Sequence, residues 1–262
     1  MDAITLTPFS SDKALAEAVA SLFAKEVLSA RLRGGSFSVA LSGGRIAQKF
    51  FSKVAEQAKA ADLSFDPVHF FWADERCVPP DNAESNYRIA KELLFEPLKI
   101  AENRIHRIRG ELSPESAATQ AEAELRSVVA QASRLPGMRD SRAGCATEAA
   151  REEGGNGQPV LDLILLGMGE DGHVASLFPG EPQTVMADPA VYRAVRNSPK
   201  PPPNRVTLGY SAIMSAKQVW VLASGAGKQA ALRESLREGG ETPLARVLRI
   251  RRGTRVFCDF TI

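Results

Sequence analysis

Apolar positions along the 262 residues follow two alternating periods. Between residues 11 and 33, Leu15, Val19, Leu22, Phe23 and Val27 recur at helical spacing. Ser10 or Ser11 stands ready as a cap and Gly34 as a stop, which together predict a helix. Residues 37–41 are a short continuous apolar run, as in a strand buried on both faces, and helical spacing returns from about residue 46 to 59. Further strands are predicted at 68–72, 105–108, 160–166, 191–195, 206–208, 218–223 and 255–261. Helices are predicted at 88–95, at 114–132 with Ser113 as cap and Pro114 in its first turn, and from the 224–228 turn to about residue 238. This alternation predicts an α/β protein: a three-layer fold with a largely parallel central sheet, Rossmann-like in architecture, as one domain over residues 1–262.

One stretch breaks the pattern. Residues 138–158 are rich in Gly, Arg, Glu, Ala and Asn with no hydrophobic period, and apolar patterning resumes at Val160. They are expected to be a mobile surface insertion that can be deleted without loss of the fold.

Composition narrows the function classes. A formal net charge of +2 gives no global pull toward nucleic acid or membrane, so any anion selectivity must come from local clusters. Few aromatics weaken a base-stacking role, and no window reaches membrane-spanning length or a secretory leader pattern. Cys77, Cys145 and Cys258 are far apart, and His69, His106 and His173 lack metal-ligand spacing. Reduced thiols, a cytoplasmic location and no metal site are therefore expected.

The chemistry gathers in loops that follow predicted strands, where open α/β sheets bind ligands. After the run 160–166, interrupted only by Asp162, come Gly167, Met168, Gly169, Glu170, Asp171, Gly172 and His173. A carboxylate two residues from a histidine can fix the tautomer of the imidazole and leave its other nitrogen free as a base. The three glycines also match a dinucleotide fingerprint, but so late in the chain and without the following acid that match is weak, and a plain structural turn is the stronger alternative. Ser42, Gly43 and Gly44 between a strand and a helix read either as a phosphate cradle with Arg45 beside it or as an ordinary turn. Asp74, Glu75 and Arg76 read as a solvated edge or a pocket lining. Lys228 stands in a helical first turn, unfavourably for a cation unless an anion sits beside it.

The set L-S-G-G at 41–44, F-W-A-D-E-R-C-V-P at 71–79, S-N-Y at 85–87, L-G-M-G-E-D-G-H-V-A-S-L-F-P-G at 166–180, R-V-T-L-G at 205–209 and G-x-x-K at 225–228 resembles the 6-phosphogluconolactonases, from about residue 10 to the C-terminus. That family shares its fold with the glucosamine-6-phosphate isomerases/deaminases. Deaminases typically read D-E-Y and G-H-I-A-F-N-E-P where this chain has Asp74-Glu75-Arg76 and His173 to Pro179, and both differences favour the lactonase. The family loop usually continues S-G-G-S-T-P; here Arg45, Ile46 and Ala47 follow Gly44, and Arg45 is expected to keep the site anion-binding.

The resemblance implies hydrolysis of 6-phospho-D-glucono-1,5-lactone without metal or organic cofactor. It implies His173 as acid/base and Asp171 as its orienting partner, with Arg76 or nearby N–H groups at the oxyanion. Arg205 and Lys228 would meet at the phosphate together with Ser42, Gly43, Gly44 and Arg45. Asp74, Arg76, Asn86 and Gly169 complete the expected substrate contacts. The partner implied is a small phosphosugar lactone, with no nucleic acid or membrane, and the chain is expected to be a monomer or weak homo-oligomer. The alternatives are a deaminase-like aldose/ketose isomerase and a non-catalytic sugar-phosphate-binding regulator.

Overall fold

The structure is a computed structural model and describes residues 4–132, 153–154, 157–251 and 253–262. Strand β1 (Thr5–Pro8) leads into helix α1 (Asp12–Leu32), which opens where Ser11 Oγ accepts the Ala14 N–H at 3.1 Å. The α1 stripe Leu15, Val19, Phe23 and Val27 is fully buried, and Phe23 packs on Phe37, Phe50 and Phe65 with ring centroids 6.2, 5.6 and 6.0 Å away. Each such aromatic contributes about 1.5–3 kcal/mol by burial. This cluster joins α1 to β2 (Phe37–Leu41) and α2 (Arg45–Ala60), and β3 (Val68–Trp72) follows.

Three charged residues after β3 form a short strand of their own, β4 (Asp74–Arg76), with Asp74 5% and Glu75 2% exposed, so the solvated-edge alternative falls away. Helix α3 (Asn86–Ala90) continues through a π-turn and a further helical turn to Leu98. The strand expected at 105–108 is absent. Only a single bridge joins Ile105 to Phe70, because the neighbouring residues turn away toward α4 (Pro114–Ala132).

Of the expected insertion 138–158, residues 138–152, 155 and 156 lie outside the described residues. Its last residues are built into the fold: β5 (Glu153–Gly154) pairs with β6 (Gln158–Pro159), and Gln158 Nε2 donates to Pro189 O at 2.6 Å. The strand predicted from residue 160 begins later, as β7 (Leu163–Gly167). Asp162, the charge that interrupts the apolar run, explains the delay. Its Oδ2 accepts from Ser38 N and Oγ at 2.8 and 2.9 Å and its Oδ1 from Lys217 Nζ at 2.8 Å, which ties together the entry ends of three strands.

Beyond β7 come β8 (Tyr192–Val195), β9 (Arg205–Leu208), α5 (Tyr210–Ser215), β10 (Gln218–Ala223), α6 (Gln229–Leu236), α7 (Pro243–Ile250) and β11 (Arg255–Cys258). Helices α5 and α7 were not anticipated. Both are short, and α7 rests on the Thr242 cap and on Pro243 at its first position, signals weaker than a long apolar stripe.

The main sheet runs β1-β11-β10-β7-β2-β3, parallel throughout and flanked by helices, as expected of this three-layer class. The strands predicted at 191–195 and 206–208 do not join it. As β8 and β9 they pair antiparallel in a smaller sheet, β4-β9-β8, which sets Asp74 opposite Thr207 and Arg76 opposite Arg205. Among the described residues no helix is long and apolar enough to cross a membrane.

Candidate active site

Strand order decides what meets. β7 lies between β2 and β10, so the loops that leave their carboxyl ends are neighbours, and the β4-β9-β8 sheet borders them through β4. The 167–173, 42–44 and 224–228 loops therefore converge from well-separated stretches of chain. Contacts bear this out: a Cβ on Gly227 would lie 2.9 Å from Glu170 Oε1, and one on Gly167 would lie 3.4 Å from Gly43 O.

At the centre His173 Nδ1 stands 2.5 Å from Asp171 Oδ1, which also accepts the His173 N–H at 3.2 Å. Burial works against the charge of Asp171, but the hydrogen bonds and charge of His173, with help from Lys200, outweigh it and bring the carboxyl down to about 2. An ionised carboxylate at that distance calls for the proton on Nδ1. Nε2 is left as the basic nitrogen, and it has no hydrogen-bond partner among the described residues. Burial lowers the pKa of the imidazole; Asp171 partly opposes that and Lys200 adds to it. The base form is thus favoured.

Gly169 explains the glycine-rich loop. A Cβ there would fall 2.0 Å from His173 Nδ1, so the position must lack one for the ring to sit where it does. Its N–H donates to His173 O at 2.9 Å, and the Gly172 N–H donates to Gly169 O at 3.1 Å. The N–H groups of Gly169, Gly172 and His173 are thus occupied within the loop, which leaves Arg76 or other nearby N–H groups for the oxyanion. Gly169 seats the imidazole; it does not present its N–H to a substrate.

The Asp74 carboxylate reaches this loop indirectly. Ser176 Oγ donates to Asp74 Oδ2 at 2.7 Å, and Ser176 N donates to Thr207 Oγ1 at 3.1 Å, so the two sheets clamp the segment after His173. Asn86, 1% exposed, is a brace: Nδ2 donates to Asp74 O at 2.9 Å, and a Cβ on Gly43 would lie 1.9 Å from its Oδ1. Glu75 holds that brace by accepting the N–H groups of Arg76, Asn86 and Tyr87 at 2.7 to 2.8 Å. Arg76 Nη1 donates to Glu84 O at 2.7 Å, which aims it along its own loop.

The predicted cations divide into two environments. Arg205, 4% exposed, donates from Nε to Pro202 O, from Nη1 to Ser176 Oγ, and from Nη2 to Lys200 O and Pro201 O. Four of its five N–H groups are spent on protein, and its guanidinium lies over the Phe178 ring, which in turn packs on His173. Its electrostatic neighbours are Asp74, Arg76, Glu84 and Glu75. Lys228 instead feels Arg45, Asp259, Glu170 and Lys200. The structure shows Arg205 acting as a clamp on residues 200–202 and Ser176, while the cations whose charge is felt at Lys228 are Arg45 and Lys200.

Lys228 is the unengaged cation of this group. Burial lowers its pKa and Arg45 lowers it further, yet its side chain makes no ion pair or hydrogen bond among the described residues. Asp259 positions it by accepting Ser224 Oγ–H at 2.6 Å and the Gly225 N–H at 2.8 Å. Across from it α2 begins at Arg45 with no side-chain cap, behind Gly44 at φ 100. Its first-turn N–H groups are thus left for a ligand. Ser42 Oγ is buried and unpartnered at the same place.

The residue that sequence reasoning missed is Lys200. Its Nζ lies 3.2 Å from Asp171 Oδ2 and 3.3 Å from His173 Nδ1. The available signal was a single cation in the turn Ser198-Pro199-Lys200-Pro201-Pro202-Pro203, stiff enough to aim a side chain. Among the described residues no group of three or more His, Cys, Asp or Glu is placed to hold a metal ion.

The family model described as glucosamine-6-phosphate isomerases/6-phosphogluconolactonase matches residues 10–257. A rice protein (Oryza sativa subsp. indica) named probable 6-phosphogluconolactonase 3, chloroplastic, is 36% identical over 227 residues, 87% of this chain. The matched region spans only 64% of that relative's length. The solved 6-phosphogluconolactonase from Trypanosoma cruzi is 26% identical with a TM-score of 0.78, covering 98% of this chain and 95% of that one. A monomeric glucosamine-6-phosphate deaminase superposes with a TM-score of 0.73 over 98% of this chain and 97% of its own, at 17% identity, a likeness of fold alone.

Proposed function

This chain belongs to the glucosamine-6-phosphate isomerase/6-phosphogluconolactonase family, and from that premise we propose that it hydrolyses 6-phospho-D-glucono-1,5-lactone to 6-phosphogluconate, in the oxidative pentose phosphate pathway. One observation carries the reading: an imidazole held by an ionised carboxylate, with Nε2 open, on a loop that neighbours the one carrying Lys228, a half-buried lysine whose side chain has no partner among the described residues. Such a site has both a base for the ester and a cation for the phosphate. A mere binder would need only the second.

His173 Nε2 takes a proton from water as the water oxygen bonds to C1. The tetrahedral intermediate collapses by breaking the bond from C1 to the ring oxygen, which receives the same proton back from Nε2. Asp171 holds the imidazolium formed in between. The phosphate, with roughly two negative charges, sits at Lys228, Arg45 and the first turn of α2. Ester hydrolysis of this kind needs no redox or electron-sink group.

His173-Val174-Ala175-Ser176-Leu177-Phe178-Pro179 also favours the lactonase over the deaminase chemistry, since Ser176 and Phe178 are built into the clamp around His173. We place the enzyme in the cytoplasm as a monomer or weak homo-oligomer folded as one domain. The test is lactone consumption above the spontaneous rate, followed by proton release at constant pH, with glucosamine 6-phosphate as the competing substrate. Turnover of the latter alone would replace this reading with the isomerase/deaminase one.

A further inference from the structure

Lys200 touches both members of the acid/base pair, and nothing in the reaction just described gives it a task. With Nδ1–H directed at Asp171 Oδ1, the 3.3 Å contact from Lys200 Nζ to Nδ1 is not a hydrogen bond, because both nitrogens carry their protons. What remains is electrostatic: an ammonium held against the ring that must be neutral to act as base and must give its proton up afterwards.

The holding is deliberate in the fold. Carbonyl oxygens of Lys200, Pro201 and Pro202 all accept from the Arg205 guanidinium, at 3.1, 2.8 and 3.2 Å. Arg205 is in turn fixed by β9, by Ser176 and by the Phe178 ring. A buried arginine thereby fastens the turn that carries Lys200 to the segment that carries His173. Lysine side chains are costly to immobilise, so a backbone fixed at three points is what makes the contact dependable.

We propose that Lys200 is a positioning residue for the hydrolysis: its ammonium sharpens His173 as a proton shuttle by destabilising the imidazolium, while its ion pair to Asp171 keeps the carboxylate ionised and oriented. The inference rests on the lactonase reading only for the reaction served. The groups that face His173 are Asp171 from its own loop, Lys200 from the turn between β8 and β9, and Asp74 from β4. Asp171 and Asp74 favour the imidazolium and Lys200 opposes it, so removing Lys200 leaves two anions against one ring.

The decisive experiment titrates the His173 imidazole by NMR in the free enzyme, in wild type, Lys200→Met and Lys200→Arg. The chain has three histidines; the His173 signal is identified by its loss in His173→Ala, and the His69 and His106 signals report an intact fold. The expected result is a rise of about one pH unit in Lys200→Met, the scale of one charged neighbour at a half-exposed site, and a value near wild type in Lys200→Arg. The acid limb of kcat/KM should move with it, a loss of up to about tenfold on that limb. An unmoved titration in Lys200→Met overturns the proposal, as does a uniform loss of kcat/KM at every pH without a shift, which would make Lys200 a substrate contact. Should wild type fail to open the lactone while the titration still moves, the functional reading fails and the coupling stands.

Discussion

The chain builds two histidine clusters toward opposite ends of the strands of one parallel sheet, and one difference between them decides their roles. At the entry end Arg104 Nη1 donates to His69 Nε2, His69 Nδ1 lies 2.9 Å from His106 Nε2, and His106 Nδ1 lies 2.8 Å from Glu124 Oε1. Read from the arginine to the carboxylate, every N–H has an acceptor and every lone pair a donor when both rings are neutral, and the rings stack on each other and on Phe71. At the exit end Asp171 occupies only one nitrogen of His173, and the glycine-rich loop leaves the other without a partner among the described residues. A histidine that is satisfied on both nitrogens is a strut, whereas one satisfied on a single nitrogen is a reagent. Residue type and burial do not separate the two; hydrogen-bond completion does.

The comparison is broken most forcefully at His173. His173→Ala should cost about 100- to 10,000-fold in kcat while leaving affinity for 6-phosphogluconate nearly unchanged, measured by lactone opening above background and by calorimetry. His106→Ala should leave both turnover and that affinity intact. Near wild-type rates in His173→Ala would remove the distinction drawn here.

Next in size is the phosphate end. Lys228→Ala should weaken 6-phosphogluconate about 10- to 150-fold, the worth of one hydrogen bond to a charged group, and barely change gluconate, which lacks the phosphate. Arg205→Ala should instead lower stability and turnover together, because its donors fasten the 200–202 turn and Ser176. Equal losses for the two ligands in Lys228→Ala would send the phosphate elsewhere.

A smaller effect is expected at the strut. Removing the His106 ring strands the His69 donor and the Glu124 carboxylate, at about 1–3 kcal/mol for a buried unsatisfied group, readable as a lower midpoint in urea. The same cluster also carries a pH response. Burial, then Arg104 and His106, lower His69 from 6.5 to about 4. Between those values the unfolded chain binds more protons than the folded one, so this contribution is whole above pH 6.5 and is lost as pH falls toward 4. A melting temperature that falls over that window in wild type, and less steeply in His69→Gln, is the expected result; an equal fall in both would place the acid sensitivity elsewhere.

Local pattern sufficed for much of this. The apolar run at 37–41, the stripe Leu15, Val19, Phe23 and Val27, and the pairing of Asp171 with His173 are short-range features, and each appears where the sequence puts it. Periodicity is a property of neighbours along the chain, so it survives without knowledge of the fold. The candidate ligand loops were legible for the same reason, since glycines after an apolar run mark a strand's exit.

What only the tertiary structure decided is which of those pieces face each other. No periodicity tells that β8 and β9 leave the parallel sheet for an antiparallel partner in β4, that Arg205 spends its donors on the carbonyls of residues 200–202, or that Lys200 returns to His173 from twenty-seven residues away. Charges act through space and hydrogen bonds demand a partner within about 3 Å, so the role of an arginine, a lysine or a second histidine depends on contacts that the linear order does not contain.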